Sequence, residues 1–188
     1  VSAATYTVRR HAFEPERTWR VDEAGLSWQG EGVCGHFPFS EITTIRLLFG
    51  ASRADQNRYL CQVTRFNGWM EEIVSTHYAG PMNFEDRRST FRPFAEQLTI
   101  QAARANPKIR FWAGVAPLNF WLSGLLVVSV AALLAFVLLT LGPGGGWIVA
   151  AKLVLLVFMI PMVVRWFRRN RPVSFTPPAI PPGVLPGA

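Results

Sequence analysis

The sequence predicts an α+β membrane protein. It has an N-terminal antiparallel β-barrel or sandwich of about seven strands closed by one helix, followed by a two-helix transmembrane hairpin. Three observations predict this. From Phe111 to Ala151 the 188-residue chain carries no charged side chain. Upstream, short runs of alternating apolar and polar residues are separated by turn formers, which is the pattern of half-buried strands. Between the two, Phe91, Phe94, Ala95, Leu98 and Ala102 recur at helical spacing and form a stripe that has to bury against a sheet.

In chain order, residues 4–8 read as a strand, broken by Glu14-Pro15-Glu16. Residues 17–21 and 26–29 read as a hairpin around Asp22-Glu23-Ala24-Gly25, and 33–39 follow the turn Gly30-Glu31-Gly32. In 43–49, Thr43, Ile45, Leu47 and Phe49 share one face and Arg46 takes the other. Residues 50–58 are polar and read as a loop, and 59–65 alternate again. Asn67-Gly68 is a two-residue hairpin signal, because both residue types tolerate positive φ, and 69–76 return as its partner strand. Residues 78–86 read as an irregular connection. A helix over 89–105 would be capped by Ser89 or Thr90, with Pro93 in its first turn, and would end at Asn106-Pro107.

The hairpin is expected as spans 118–141 and 147–167, joined by Gly142-Pro143-Gly144-Gly145-Gly146. At ~1.5 Å per residue the first would measure ~36 Å, enough to cross a ~30 Å hydrocarbon core. Arg104, Lys108 and Arg110 precede it, Arg165, Arg168, Arg169 and Arg171 follow the second span, and the joining loop is uncharged. The positive-inside rule then places both termini in the cytoplasm and the glycine loop outside, with Trp112, Trp121, Trp147 and Trp166 as interfacial anchors. Lys152, inside the second span, either snorkels to the outer interface or pairs with an acidic group of another subunit. Gly124, Ala131 and Ala135 are small enough to let helices approach closely. The domains expected are 1–110, 111–167 and a basic, then proline-rich, tail 168–188. The tail's six prolines after Arg171 suit only extended or disordered chain.

The net charge of +7 is uneven: residues 1–117 hold fourteen Lys/Arg and all twelve Asp/Glu, a surplus of only two. The chain therefore lacks the basic stripe of a nucleic-acid binder. His11, His36 and His77 have no metal-ligand spacing, Cys34 and Cys61 read as free thiols, and adjacent Glu71 and Glu72 would point to opposite faces of a strand. No catalytic constellation, metal site or cofactor site is expected. Arg87 and Arg88, together with the arginines that follow the second span, are candidate contacts for anionic lipid.

The order of strands and closing helix over residues 5–106 resembles the pleckstrin-homology-like barrel. More narrowly, Glu41-Ile42 before Ile45-Arg46-Leu47, then Tyr59-x-Cys61, then Phe84-Glu85-Asp86-Arg87, look like uncharacterised bacterial two-helix membrane proteins with such a cytoplasmic domain. The resemblance implies no activity. The function expected is a non-catalytic accessory or scaffold subunit of a larger inner-membrane complex, with membrane lipids and other integral-membrane subunits as partners. An anionic-lipid-binding or membrane-sensing module and a transporter component are the alternatives.

Overall fold

The computed structural model describes residues 3–50, 58–81, 83–140, 164, 167–168 and 170–187, without the side chains of 134, 135 and 137–140. The chain divides into two units, one formed by Val1–Gly114 with Val173–Ala188 and the other by Val115–Pro172.

The first unit begins with a four-stranded antiparallel meander of β1 (Ala4–Val8), β2 (Arg17–Val21), β3 (Gly25–Gly30) and β4 (Val33–Pro38). Its alternation buries Tyr6, Val8, Trp19, Val21, Leu26 and Phe37 on one face. A 3-10 turn at Phe39–Glu41 leads into a second sheet, in which β5 (Ile42–Phe49), β6 (Tyr59–Arg65) and β7 (Met70–Val74) are antiparallel neighbours. Ile45, Leu47, Val63, Cys61 and Ile73 make its buried face. The turn at Asn67-Gly68 joins β6 to β7, and Gly68 has φ +81°, where a side chain would be strained. A bulge between Ile42 and Thr44 resets the alternation at the start of β5, so Ile42 is buried and Thr43 points to solvent. This is why Thr43 leaves the face on which the sequence places it.

β8 (Thr76–Gly80) and β9 (Asn83–Asp86) form a separate hairpin where an irregular connection was expected. Tyr78 and Phe84 lie opposite each other in it, with ring centroids 5.6 Å apart, and this cross-strand pair supplies the stabilisation that the local composition hides. α1 (Arg88–Ala105) then packs on β1 and β2. Phe91 and Phe94 meet the Tyr6 ring at 5.6 and 5.5 Å, and the Tyr6 hydroxyl donates to the Val74 carbonyl of the second sheet at 2.6 Å. One tyrosine thus ties the helix and both sheets together. Burial raises its pKa well above the ordinary phenol value. The N-cap position is Arg87, without a side-chain cap bond, and not Ser89 or Thr90; just before it, the Asp86 carboxylate accepts the Arg88 N–H at 2.9 Å. Asn106 ends it, donating from Nδ2 to the Phe39 carbonyl and accepting the Lys108 N–H on Oδ1.

The next strand, β10 (Arg110–Ala113), runs parallel to β5, and β11 (Val173–Ser174) is antiparallel to β10 at the sheet edge. Proline-rich chain therefore contributes a short strand to this unit, and the Phe175 N–H donates to the Phe111 carbonyl at 3.2 Å. Further along, Val184 and Leu185 are buried, and Arg92 of α1 donates to the Pro186 carbonyl at 3.1 Å.

The second unit contains α2 (Pro117–Thr140). Here the expectations of a transmembrane hairpin, a membrane-protein class and a two-pass inner-membrane location are corrected. Among the described residues, no helix is long and apolar enough to cross a membrane. The charge-free run also starts in the β sheet, since Phe111, Trp112 and Ala113 belong to β10, so Trp112 is a strand residue. Gly142 to Gly146, Lys152 and nearly all of the second expected span lie outside the described residues.

Candidate binding surfaces

Most charge in the first unit is consumed internally. Glu14, on the loop between β1 and β2, is buried and accepts two bonds from Arg10 at 2.6 and 3.0 Å, with Arg17 at 3.1 Å. Burial alone would raise the Glu14 pKa, but the Arg10 hydrogen bond and the charges of Arg10, Arg17 and His11 outweigh it and hold the carboxyl below its ordinary value. Arg17 also reaches Glu71 on β7 at 3.2 Å, and the Trp69 indole N–H donates to the same carboxylate at 3.1 Å. The Arg17 guanidinium lies over the Trp28 ring, 4.4 Å from its centroid. Gly35 stands opposite Trp28 in the β3–β4 pair, and a side chain there would run into the indole. The glycine lets the ring lie flat across an edge strand, where the arginine can stack on it. The sequence places a strand here but gives no sign of the stack, because Arg17, Trp28 and Glu71 are brought together by pairing across two sheets.

The predicted basic contacts separate into three groups. Arg87 and Arg88 belong to the first unit and are already engaged. Arg87 donates to the Thr7 carbonyl at 2.8 Å and pairs with Glu85 at 3.1 Å, while Arg88 holds Asp86 at 2.5 Å. Arg168 and Arg171 are exposed. Arg165, Arg169 and Lys152 lie outside the described residues, as does the side chain of Ala135. Glu41 pairs with Arg65, and Glu72 with Arg58 at 3.3 Å.

α2 presents the opposite surface. Phe120, Ser123, Gly124 and Val127 form a half-buried stripe at i, i+3, i+4, i+7. Within this unit the Phe167 ring lies 5.2 Å from Phe120, and a Cβ at Gly124 would sit 3.5 Å from the Phe167 ring, an ordinary van der Waals contact that does not itself require glycine. Around the rest of the helix Leu118, Trp121, Leu122, Leu125, Leu126, Val128, Leu133 and Phe136 are exposed, Trp121 by 72%. At 100° per residue these positions sweep roughly 160° of the helix with no charge among them. Ala131 continues the half-buried stripe by spacing, four residues after Val127, and is exposed.

Among the described residues the first unit has at least two clefts. One, of about 490 Å³, is lined by Arg9, Phe13, Glu14, Glu16, Glu31, His77 and Tyr78. Its Arg9 is bonded to the Glu14 and Ala12 carbonyls. His77 accepts the Arg9 backbone N–H on Nδ1 at 3.2 Å. Burial and the Arg87 charge lower its pKa, against the opposing pull of Glu16 and Glu85. A second cleft, of about 370 Å³, lies among β10, β11 and the end of α1. Among the described residues no group of three or more His, Cys, Asp or Glu could hold a metal ion. Cys61 is buried, which pushes its thiol up to about 12 and leaves it protonated at neutral pH. Cys34 is an exposed free thiol.

The pleckstrin-homology resemblance rests on element order alone. Comparison with family models, with curated proteins and with solved structures finds no match for this chain.

Proposed function

We propose that the chain is a non-catalytic docking subunit, an accessory or scaffold component that joins a larger protein assembly by packing apolar helices of a partner against α2. The supporting observation is the uncharged arc of large, exposed apolar side chains on α2, from Leu118 to Leu133. Contiguous apolar surface of this extent marks an interaction site. A helical partner fits it, because ridges of Leu and Val at i, i+3, i+4 interdigitate with those of another helix. Many ionic groups of the first unit are paired with one another, which leaves α2 as the larger unsatisfied surface.

The test is affinity purification of the full chain from its native source, followed by native mass spectrometry of the wild type and of Leu125→Lys and Leu126→Lys. The expected result is a partner at fixed stoichiometry that both substitutions release. A wild-type chain that always migrates alone, a partner retained equally by both variants, or association with protein-free lipid vesicles in place of a partner would each overturn the proposal.

A further inference from the structure

The cleft at the end of α1 differs from the rest of the first unit in its charge. Every described arginine from Arg9 to Arg92 contacts a carboxylate or a backbone oxygen; Arg46, for example, reaches the Gly114 carbonyl at 3.3 Å. The next three cations, Arg104, Lys108 and Arg110, are exposed and have no such partner among the described residues. All twelve acidic residues lie at or before Glu96, and folding brings none of the described ones to these three cations. Arg104, in the last turn of α1, complements the helix dipole, which accounts for one of the three cations but not for Lys108 or Arg110.

Arg110 lines the cleft, and Arg104 and Lys108 are sequence neighbours of the lining residues Ala103, Pro107 and Ile109. The floor is apolar, built from Ile109, Phe111, Phe175 and Pro177, with Trp112 beside them and the Phe111 and Phe175 rings 5.8 Å apart. β11, at the edge of its sheet, forms one wall and exposes both of its residues.

We infer that this cleft binds a short acidic peptide segment of a partner protein, with one aromatic or aliphatic anchor in the cleft and flanking carboxylates on Arg110, Lys108 and Arg104. Charge complementarity selects the sign of the partner, since the positive groups here have no internal counterions. The form of the site selects an extended segment: the cleft is open, whereas small-molecule sites enclose most of their ligand. The free side of β11 offers backbone groups to a chain running alongside it. The inference is independent of the α2 proposal, because it concerns different residues in a different unit.

The test uses the full chain and fluorescein-labelled hexapeptides read by fluorescence anisotropy. The probe is Glu-Asp-Leu-Phe-Asp-Glu; the controls are Glu-Asp-Gly-Ser-Asp-Glu and Lys-Lys-Leu-Phe-Lys-Lys. Binding of the probe alone is expected. Arg110→Glu should weaken it about tenfold, and raising the salt should weaken it further. Arg110 is exposed, so an unchanged circular dichroism spectrum will show that the variant is folded. Four results would overturn the inference: no binding of the probe, equal binding of the anchorless or the basic peptide, an unaltered affinity in Arg110→Glu, or binding of 1-naphthoate in the cleft without binding of the peptide. The last would assign the site to a small anionic amphiphile.

Discussion

The β unit and α2 solve the same problem in opposite ways. In the β unit, apolar side chains are inside and ionic groups neutralise each other at the surface: Glu14 holds Arg10 and Arg17, Glu71 holds Arg17, and Asp86 holds Arg88. In α2 one narrow stripe, Phe120 to Val127, is covered, and large apolar residues fill much of the remaining circumference. A sheet can bury its apolar face against a second sheet and a helix of the same chain. A helix that is apolar nearly all round needs neighbours on more than one side. The comparison teaches that the stability of the β unit comes from within, while whatever α2 does requires something beyond the described residues.

The largest contrast should appear in paired truncations. Phe91→Ala, which empties a fully buried site beneath Tyr6, should cost ~3–5 kcal/mol in chemical denaturation. Leu125→Ala on the open side of α2 should change stability by no more than ~0.5 kcal/mol. Equal losses would mean that α2 is covered after all, and the contrast would fail.

Breaking the ionic surface should have an intermediate effect. Glu14→Gln leaves Arg10 and Arg17 without their shared carboxylate and should cost about 1–3 kcal/mol, less than a fully buried pair because both guanidinia keep some access to water. The same carboxylate sets an acid limit. Its folded pKa lies below the ordinary 4.5, so its contribution is fully present above pH 4.5 and is lost as pH falls through the folded value. Urea midpoints followed down from pH 5 should drop in the wild type. The drop should be shallower in Glu14→Gln, and identical slopes would remove this carboxylate from the account.

The smallest effect concerns His77. Its folded pKa lies below 6.5, so the unfolded chain takes up the proton first and stability declines as pH falls from 6.5. Protonation at Nδ1 would also abolish the bond accepted from the Arg9 N–H. His77→Gln keeps an acceptor without the titration. It should flatten the pH dependence just below 6.5 while leaving the midpoint at pH 8 nearly unchanged; a profile as steep as the wild type's would assign the decline to another group.

Much of the β unit is legible in the sequence. Asn67-Gly68 marks the β6–β7 turn, and the Phe91-to-Ala102 stripe marks the buried face of α1. What escapes reading depends on distant partners. Tyr78 and Phe84 look like residues of a loop until they face each other, and the bulge at Ile42 and Thr44 moves Thr43 to solvent against its period. Of the candidate contacts, Arg87 and Arg88 prove to be paired, with partners that their own sequence neighbourhood only partly supplies. The cleft beside Arg110 needs residues some seventy positions apart, Ile109 and Pro177 among them, and no local signal announces it.

By itself the sequence determined the local periods, the turns and the separation of charge, with every acidic group at or before Glu96 and an uncharged run from Phe111 to Ala151. These are properties of neighbours along the chain, set by backbone geometry and composition. Tertiary structure alone decided that the uncharged run begins as a parallel strand beside β5, that a proline-rich segment pairs with it as β11, and which arginines keep a free charge. The physical reason is that a strand gains its hydrogen bonds, and an ion its counterion, only from a partner that folding brings near, and the sequence pattern of either one does not name that partner.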